Sequence, residues 1–125
     1  MCYTIEINLT REQLEKRFKA SLGKHLPYRK QQRVSAFSLP ECPVICSDES
    51  DSIKLYAWGL IPFWAKDAKT ADKIRMRTFN ARAETIAEKA SYKHAIRTKK
   101  CLVLTNGFYE WQTMEKNKTT LLYQC

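Results

Sequence analysis

The residues that could most clearly carry out chemistry are a carboxylate, Glu110, and a nearby glycine, Gly107. Glu110 stands between two aromatic residues, Tyr109 and Trp111, and Gly107 comes shortly before them. A glycine lets a ligand or another backbone come close. A carboxylate beside two rings is partly desolvated, which suits a group that transfers protons near neutral pH. The alternative is that Glu110 lies on the wet face of a strand, opposite Tyr109 and Trp111, because side chains alternate along a strand.

Asn80 and Arg82 form a second candidate pair. They lie two residues apart in a segment that precedes a helix signal, and alternate residues of an extended chain project to the same side. An amide and a guanidinium on one side can converge on a single ligand. The alternative is that both side chains only satisfy backbone carbonyls and a surface carboxylate.

The charge pattern favours an anionic partner. The 125 residues include 22 Lys and Arg against 13 Asp and Glu, a formal net charge of +9 that is spread along the chain. Such a basic surface suits nucleic acid or acidic lipid. Phe63 and Trp64 stand beside Lys66, and rings interleaved with cations are typical of single-stranded nucleic-acid binding. The alternative is that the rings belong to the core and the charges to its solvated rim.

The cysteine pattern predicts free thiols in a reducing, cytoplasmic setting, because five cysteines is an odd number and no apolar signal segment precedes them. Cys42 and Cys46 have the wrong spacing for a zinc site, and His25 and His94 stand alone. We therefore expect no metal site and no cofactor. We also expect no membrane contact, because no apolar run approaches the roughly 18 residues of a spanning helix.

The elements that must position these residues are mainly strands, which predicts an α+β fold with short helices. Apolar and polar residues alternate over residues 3–7, as in a half-buried strand. Strand composition recurs further along the chain, at 34–39, at 53–58 after a polar turn at 47–52, and in a buried run at 101–111. Residues 119–123 are predicted to return along that run as a hairpin, after a turn at 115–118.

Two capping boxes predict helices. Thr10 and Gln13 have capping-box spacing, and the apolar residues that follow recur every fourth position until Gly23, which predicts a helix over 11–22. Thr85 and Glu88 begin a predicted short helix that ends near Ser91. The basic segment after Trp64 has no apolar stripe, so it is predicted to be an exposed loop.

Four stretches together resemble one family. They are Met1-Cys2, the run Trp58-Gly-Leu-Ile-Pro-Phe-Trp-Ala-Lys-Asp67, Asn80-Ala-Arg-Ala-Glu-Thr85, and Asn106-Gly-Phe-Tyr-Glu-Trp111. In this order they resemble the SOS-response-associated peptidase (SRAP) family, whose domain forms a covalent adduct with abasic sites in single-stranded DNA. The resemblance covers the whole chain and implies a sheet or barrel-like fold. It implies that 1–125 is the N-terminal part of the family domain, without the family's C-terminal histidine segment.

The resemblance implies that Cys2 is the reactive residue. Removal of Met1 would leave an α-amine and a thiol on adjacent carbons, and such an aminothiol condenses with aldehydes. A ring-opened abasic site exposes an aldehyde, so the expected product is a thiazolidine. The family name also implies a hydrolase, with a peptidase step limited to removal of whatever precedes Cys2, and a role in the bacterial DNA damage response.

Roles for the other candidates follow from the same resemblance. Glu110 would transfer protons, and Asn80 would orient the Cys2 amine and the sugar. The DNA contacts would come from Arg82 on a flanking phosphate, from Phe63 and Trp64 as a wedge that unstacks the strand, and from Pro40 in a loop near Cys2.

One departure from the family pattern lies beside the reactive residue. Tyr3 and Thr4 stand where the family has glycine and arginine, so one phosphate contact is missing and the site is bulkier. Two alternative functions remain: a non-covalent module that binds single-stranded nucleic acid, and an inactive fragment.

Overall fold

The computed structural model describes residues 2–114 and 117–124, whose strands form two four-stranded sheets. In spatial order, the first sheet contains β3 (Gln31–Ser35), β1 (Thr4–Ile7), β7 (Gly107–Met114) and β8 (Asn117–Gln124), and the second contains β2 (Ser21–Leu22), β5 (Glu49–Ala57), β4 (Glu41–Cys46) and β6 (Cys101–Val103). The helices are α1 (Arg11–Phe18), α2 (Ala68–Arg75), α3 (Ala95–Thr98) and a 3₁₀ helix (Ala36–Ser38). The predicted α+β class, mainly β with short helices, is confirmed. Both sheets are open, so the strands described here form no closed barrel.

Strand β1 fixes the start of the chain inside the first sheet. It pairs antiparallel with β3 on one side and with β7 on the other, and Thr4 lies opposite both Ser35 and Tyr109. The predicted strand at 3–7 is therefore confirmed, with Tyr3 just outside it. Because β1 and β7 run in opposite directions, the residues before β1 lie beside the middle of β7, where Glu110 is located.

Two apolar clusters make up the core. The first cluster packs α1 against the second sheet through five buried residues: Leu14, Ala20, Leu22, Ile53 and Leu104. The second cluster joins the two sheets through Ile5, Ile7, Val34 and Cys42, and Cys2 and Phe108 pack against it. Cys2 therefore lies at the edge of the core and not in a frayed terminus.

Helix α1 is shorter than predicted. Its capping box at Thr10 is present, because the Thr10 hydroxyl accepts from the Gln13 backbone and the Gln13 side chain accepts from the Thr10 backbone. The helix ends at Phe18 because Lys19 has left-handed backbone angles, with φ of 52°. Leu22 is buried, but it reaches the core from β2, which pairs parallel with β5. Spacing by four therefore placed Leu22 correctly in the core but in the wrong element.

The two predictions around α2 and residues 85–91 were wrong. The predicted exposed loop contains α2, because the Asp67 carboxylate accepts from the Thr70 backbone and caps the helix. Residues 83–94 form consecutive turns, so the predicted helix at 85–91 is absent. The cap signal at Thr85 starts only isolated helical hydrogen bonds, such as that from the Lys89 backbone to the Thr85 carbonyl.

Several strand boundaries also differ from the prediction. The 34–39 segment holds only the end of β3 before the 3₁₀ helix begins, β4 was not predicted, and β5 begins inside the predicted turn at 47–52.

The 101–111 run is divided between the sheets. The residues of β6 are exposed and belong to the second sheet, whereas β7 belongs to the first. The crossing is held by the Thr105 hydroxyl, which donates to the Glu6 carbonyl at 2.7 Å. The predicted hairpin of β7 and β8 is confirmed, but the first part of its turn, residues 115–116, lies outside the described residues. No helix in the described part of the chain is long and apolar enough to cross a membrane.

Candidate functional site

Cys2 lies two residues before the start of β1 and is half-buried, with its thiol pointing back to the chain. Its Sγ donates to the Thr4 carbonyl at 3.2 Å. Burial raises the pKa of the Cys2 thiol, and the charge of Glu110 adds to that rise. The thiol is therefore protonated at neutral pH, so a nucleophilic step through sulfur needs a base.

Asn80 contacts Cys2 directly across 78 residues of sequence. Its side-chain amide donates to the Cys2 carbonyl at 2.6 Å. The Asn80 backbone carbonyl accepts from the Tyr92 hydroxyl at 2.9 Å, and burial raises the pKa of that hydroxyl. Asn80 is thus fixed from two sides, and it fixes the backbone of Cys2.

The segment before Asn80 is held by Trp58 and Arg75. The Trp58 indole donates to the Phe79 carbonyl at 3.0 Å, and the Arg75 Nε donates to the Trp58 carbonyl at 3.0 Å. Gly59 has a φ of 105°, and a Cβ there would lie 2.6 Å from Arg75 Cγ. Only glycine fits this turn, which explains the Trp-Gly pair in the sequence.

Glu110 reaches the same site from β7. It is half-buried and shares a strand face with Phe108, which packs against the same core cluster and lines the same cavity as Cys2, whereas Tyr109 and Trp111 project to the other face. Trp111 is 65% exposed. Side chains therefore alternate along β7 as the surface interpretation of Glu110 assumes. However, the face that carries Glu110 is the one that borders the Cys2 side of the sheet, and the charge of Glu110 raises the pKa of the Cys2 thiol.

A cavity of about 630 Å³, the Cys2 cavity, lies beside these residues. It contains Cys2 and Asn80, and most of its wall is apolar side chains from both sheets. The lining residues are Cys2, Ile5, Cys42, Val44, Tyr56, Ala57, Trp58, Gly59, Leu60, Phe79, Asn80, Cys101, Val103, Thr105 and Phe108. The reactive candidate therefore borders a space with a mostly apolar lining.

A second cavity of about 610 Å³, the Arg82 groove, shares Asn80 with the first. Three cations line it, Arg77, Arg82 and Lys89, and Arg82 is exposed. Cations that line one groove next to a reactive residue can bind phosphates of a nucleic-acid strand. Arg77 and Lys89 were not singled out in the sequence, because a basic residue in a generally basic chain carries no distinguishing signal.

The remaining predicted DNA contacts lie outside both cavities. Phe63 is 74% exposed and its ring centroid is 4.8 Å from that of His94, while the Trp64 indole donates to the Ala90 carbonyl at 3.4 Å. These two rings thus lie against the segment that ends the Arg82 groove. Pro40 is half-buried, and its carbonyl accepts from the Trp58 backbone at 2.8 Å, which ties its loop to the segment beside Cys2.

An aromatic stack beside the site was not predicted. The Tyr3 ring stacks on Phe37 with centroids 5.3 Å apart, and Phe37 meets the edge of Phe79 at 5.5 Å. Phe37 is 62% exposed although it is large and apolar. The sequence signal was the aromatic residue that stands directly after Cys2, but its partner was hidden by the wrong strand assignment at 34–39.

The chemistry available at this site is nucleophilic and general acid–base chemistry. It offers a thiol, an amide that orients it and a carboxylate within electrostatic range, next to a basic groove. Across residues 2–114 and 117–124, no three His, Cys, Asp or Glu side chains are grouped so as to hold a metal ion.

Comparisons with known proteins agree on one family. The family model described as SOS response associated peptidase (SRAP) matches residues 1–124. An abasic site processing protein of Saccharomyces cerevisiae is 39% identical over 71 residues, which are 57% of this chain and 19% of that protein. The abasic site processing protein YoqW of Bacillus subtilis is 45% identical over 58 residues, 46% of this chain and 24% of that protein. The abasic site processing protein HMCES of Mus musculus is 43% identical over 68 residues, 53% of this chain and 19% of that protein.

A solved structure has the same fold over nearly the whole of this chain. A crystal structure of a protein from Bacteroides thetaiotaomicron superposes with a TM-score of 0.85 and 33% identity, and the match covers 97% of this chain and 53% of that one. The chain therefore spans about half the length of this solved relative, and its alignments cover a smaller share of the curated proteins.

Proposed function

Because the chain belongs to the SOS response associated peptidase (SRAP) family, we propose that it processes abasic sites in single-stranded DNA by forming a covalent adduct through Cys2. The observation that carries the proposal is the convergence of three groups distant in sequence: the half-buried Cys2, the Asn80 amide at 2.6 Å from its carbonyl, and the Glu110 charge on its thiol. Several relatives are named abasic site processing proteins, which supports the same substrate class.

The proposed reaction uses two groups of Cys2. After removal of Met1, the α-amine of Cys2 adds to the C1′ aldehyde of the ring-opened sugar, and loss of one water gives an imine. The thiolate then adds to the imine carbon, the imine nitrogen takes a proton, and a thiazolidine ring closes. The overall change is the loss of one water, with no oxidation or reduction.

Glu110 is proposed to move the protons in this sequence. Burial and the Glu110 charge keep the Cys2 thiol protonated, so ring closure needs a base close to sulfur. A carboxylate at this place can accept the thiol proton and return it during dehydration or ring opening. The same group is proposed to assist removal of the residue that precedes Cys2.

DNA is proposed to lie along the Arg82 groove, with the lesion at Asn80, where the groove and the Cys2 cavity meet. Arg82 would bind a phosphate next to the lesion. Phe63 and Trp64 would unstack the strand, since both are exposed rings. Pro40 is proposed to limit the space at the Cys2 end. Residues 1–125 are proposed to belong to one SRAP domain.

A second candidate function is non-covalent binding of single-stranded nucleic acid. The three cations of the Arg82 groove favour it, because phosphate contacts alone give sequence-independent affinity. This function differs from the first in one respect: it does not need the Cys2 amine or thiol.

The test is adduct formation on a single-stranded oligonucleotide with one abasic site, followed on a denaturing gel and by intact mass. We expect a product that has the summed masses minus one water, with Met1 absent from the protein. Cys2→Ala is expected to abolish this product, whereas the matched control Cys42→Ala, a buried cysteine of the same cavity, is expected to retain it. Undiminished adduct in Cys2→Ala would reject the proposal. Binding without adduct in the parent protein would favour the second candidate.

A further inference from the structure

Two cysteines face each other across neighbouring strands of the second sheet. Strands β4 and β6 pair antiparallel, and the register sets Cys46 opposite Cys101. Side chains of directly opposite residues project to the same face of a sheet. That face borders the Cys2 cavity, whose wall includes Cys101.

The hydrogen bonds around this pair define its type. The Ser47 backbone donates to the Lys100 carbonyl at 2.9 Å, and the Leu104 backbone donates to the Pro43 carbonyl at 2.9 Å. The first bond joins the residues next to the two cysteines, and the second belongs to the same alternating series along the ladder, so Cys46 and Cys101 form a non-hydrogen-bonded pair. In such pairs the Cα atoms are about 4.5 Å apart, within the roughly 4.4 to 6.8 Å that a disulfide spans.

Both thiols are free and at least partly accessible. Cys46 is half-buried and Cys101 is exposed. Burial and the neighbouring charge of Cys46 both raise the pKa of the Cys101 thiol, so the two sulfur atoms interact electrostatically. Cys42 offers a contrast on the same strand, because it lies opposite Tyr56 and burial raises the pKa of its thiol to about 11.

We propose that Cys46 and Cys101 form a reversible disulfide-modification site. A low-molecular-weight disulfide such as glutathione disulfide is the oxidant. One cysteine thiolate attacks it and releases one glutathione, and the other attacks the resulting mixed disulfide and releases the second. The product is a protein disulfide and two reduced glutathione molecules, with two electrons passing from the protein to the oxidant.

The disulfide would close a covalent loop around the candidate site. The residues between the two cysteines include α2, Asn80 and Arg82, so the new bond ties the ends of the segment that supplies the amide and the basic groove. Cross-linking a loop of this size restricts mainly the unfolded chain and so stabilises the fold. Neither group of Cys2 is consumed. The proposal is therefore independent of the proposed function.

The experiment treats the protein with glutathione disulfide and then maps its thiols. We expect an intact mass lower by about 2 Da, two fewer titratable thiols, a Cys46–Cys101 peptide and a thermal midpoint higher by about 5 °C or more, all reversed by dithiothreitol. Cys46→Ser and Cys101→Ser are expected to lose the 2 Da change, and the matched control Cys42→Ser to keep it. A parent protein that keeps all its thiols, forms only stable glutathione adducts, or pairs any other cysteines overturns the proposal. Mapping the parent decides the matter even where a serine variant fails to fold.

Discussion

Replacing Asn80 with alanine tests whether its amide positions the reactive residue. The Asn80 amide donates to the Cys2 carbonyl at 2.6 Å, at a partly buried place, and is the side-chain contact that joins residues 2 and 80. Alanine removes the donor without adding bulk. The proposed adduct should then form more slowly, because Cys2 samples orientations in which its amine and thiol do not face the sugar.

The size of the effect follows from the hydrogen bond. A net contribution of about 0.5–1.5 kcal/mol is typical of one intramolecular hydrogen bond. If this hydrogen bond serves to orient Cys2, its loss in Asn80→Ala should lower the rate of adduct formation about two- to tenfold, since about 1.4 kcal/mol corresponds to a factor of ten. Asn80→Asp should have a larger effect, because an isosteric carboxylate would set a charged acceptor against the Cys2 carbonyl.

The matched control is Asn106→Ala. The Asn106 side chain accepts from the Asn8 backbone, also at 2.6 Å, but it lines neither cavity. Adduct kinetics on an abasic single strand and urea unfolding should be measured for the parent, Asn80→Ala and Asn106→Ala. Both variants should lose stability, and only Asn80→Ala should lose rate. An Asn80→Ala protein that reacts at the parent rate would refute the positioning role.

Three further predictions concern other parts of the site. Glu110→Gln should slow adduct formation about a hundred- to ten-thousandfold with unchanged DNA affinity. Because the substitution removes a charge that raises the pKa of the Cys2 thiol, the midpoint of Cys2 alkylation against pH should move to lower pH. An unmoved midpoint would contradict this role of the Glu110 charge. Arg82→Ala should weaken binding of single-stranded DNA and reduce the slope of log affinity against log salt by about 0.7, measured by fluorescence anisotropy at several salt concentrations, and an unchanged slope would exclude a phosphate contact. Gly59→Ala should lower the free energy of unfolding in urea by about 1–3 kcal/mol, because the residue has a φ of 105° and its Cβ would meet Arg75; parent-like stability would show that the turn adapts.

The sequence predicted local features well where they depend on neighbours along the chain. The Thr10 capping box, the alternation in β1 and the hairpin of β7 and β8 all rest on short-range contacts, and all are present. The errors came where a distant strand decided the outcome. Ser21 and Leu22 leave the predicted helix to pair with β5, and the run from Cys101 divides because its first half pairs with β4 and its second with β1.

The candidate site shows the same division. The sequence by itself determined which groups are present: a cysteine at position 2, an amide and a guanidinium two residues apart at 80 and 82, and a carboxylate among aromatics at 110. The tertiary structure decided that the amide contacts the cysteine and that the charge of the carboxylate acts on the cysteine thiol, while the guanidinium lines a neighbouring groove. Alternation states that Glu110 and Tyr109 occupy opposite faces, but it does not state which face is turned to Cys2. The face that Glu110 turns to Cys2 is set by the antiparallel pairing of β1 with β7. This pairing joins residues about a hundred positions apart, so it depends on which faces of the sheets are buried and not on neighbours along the chain.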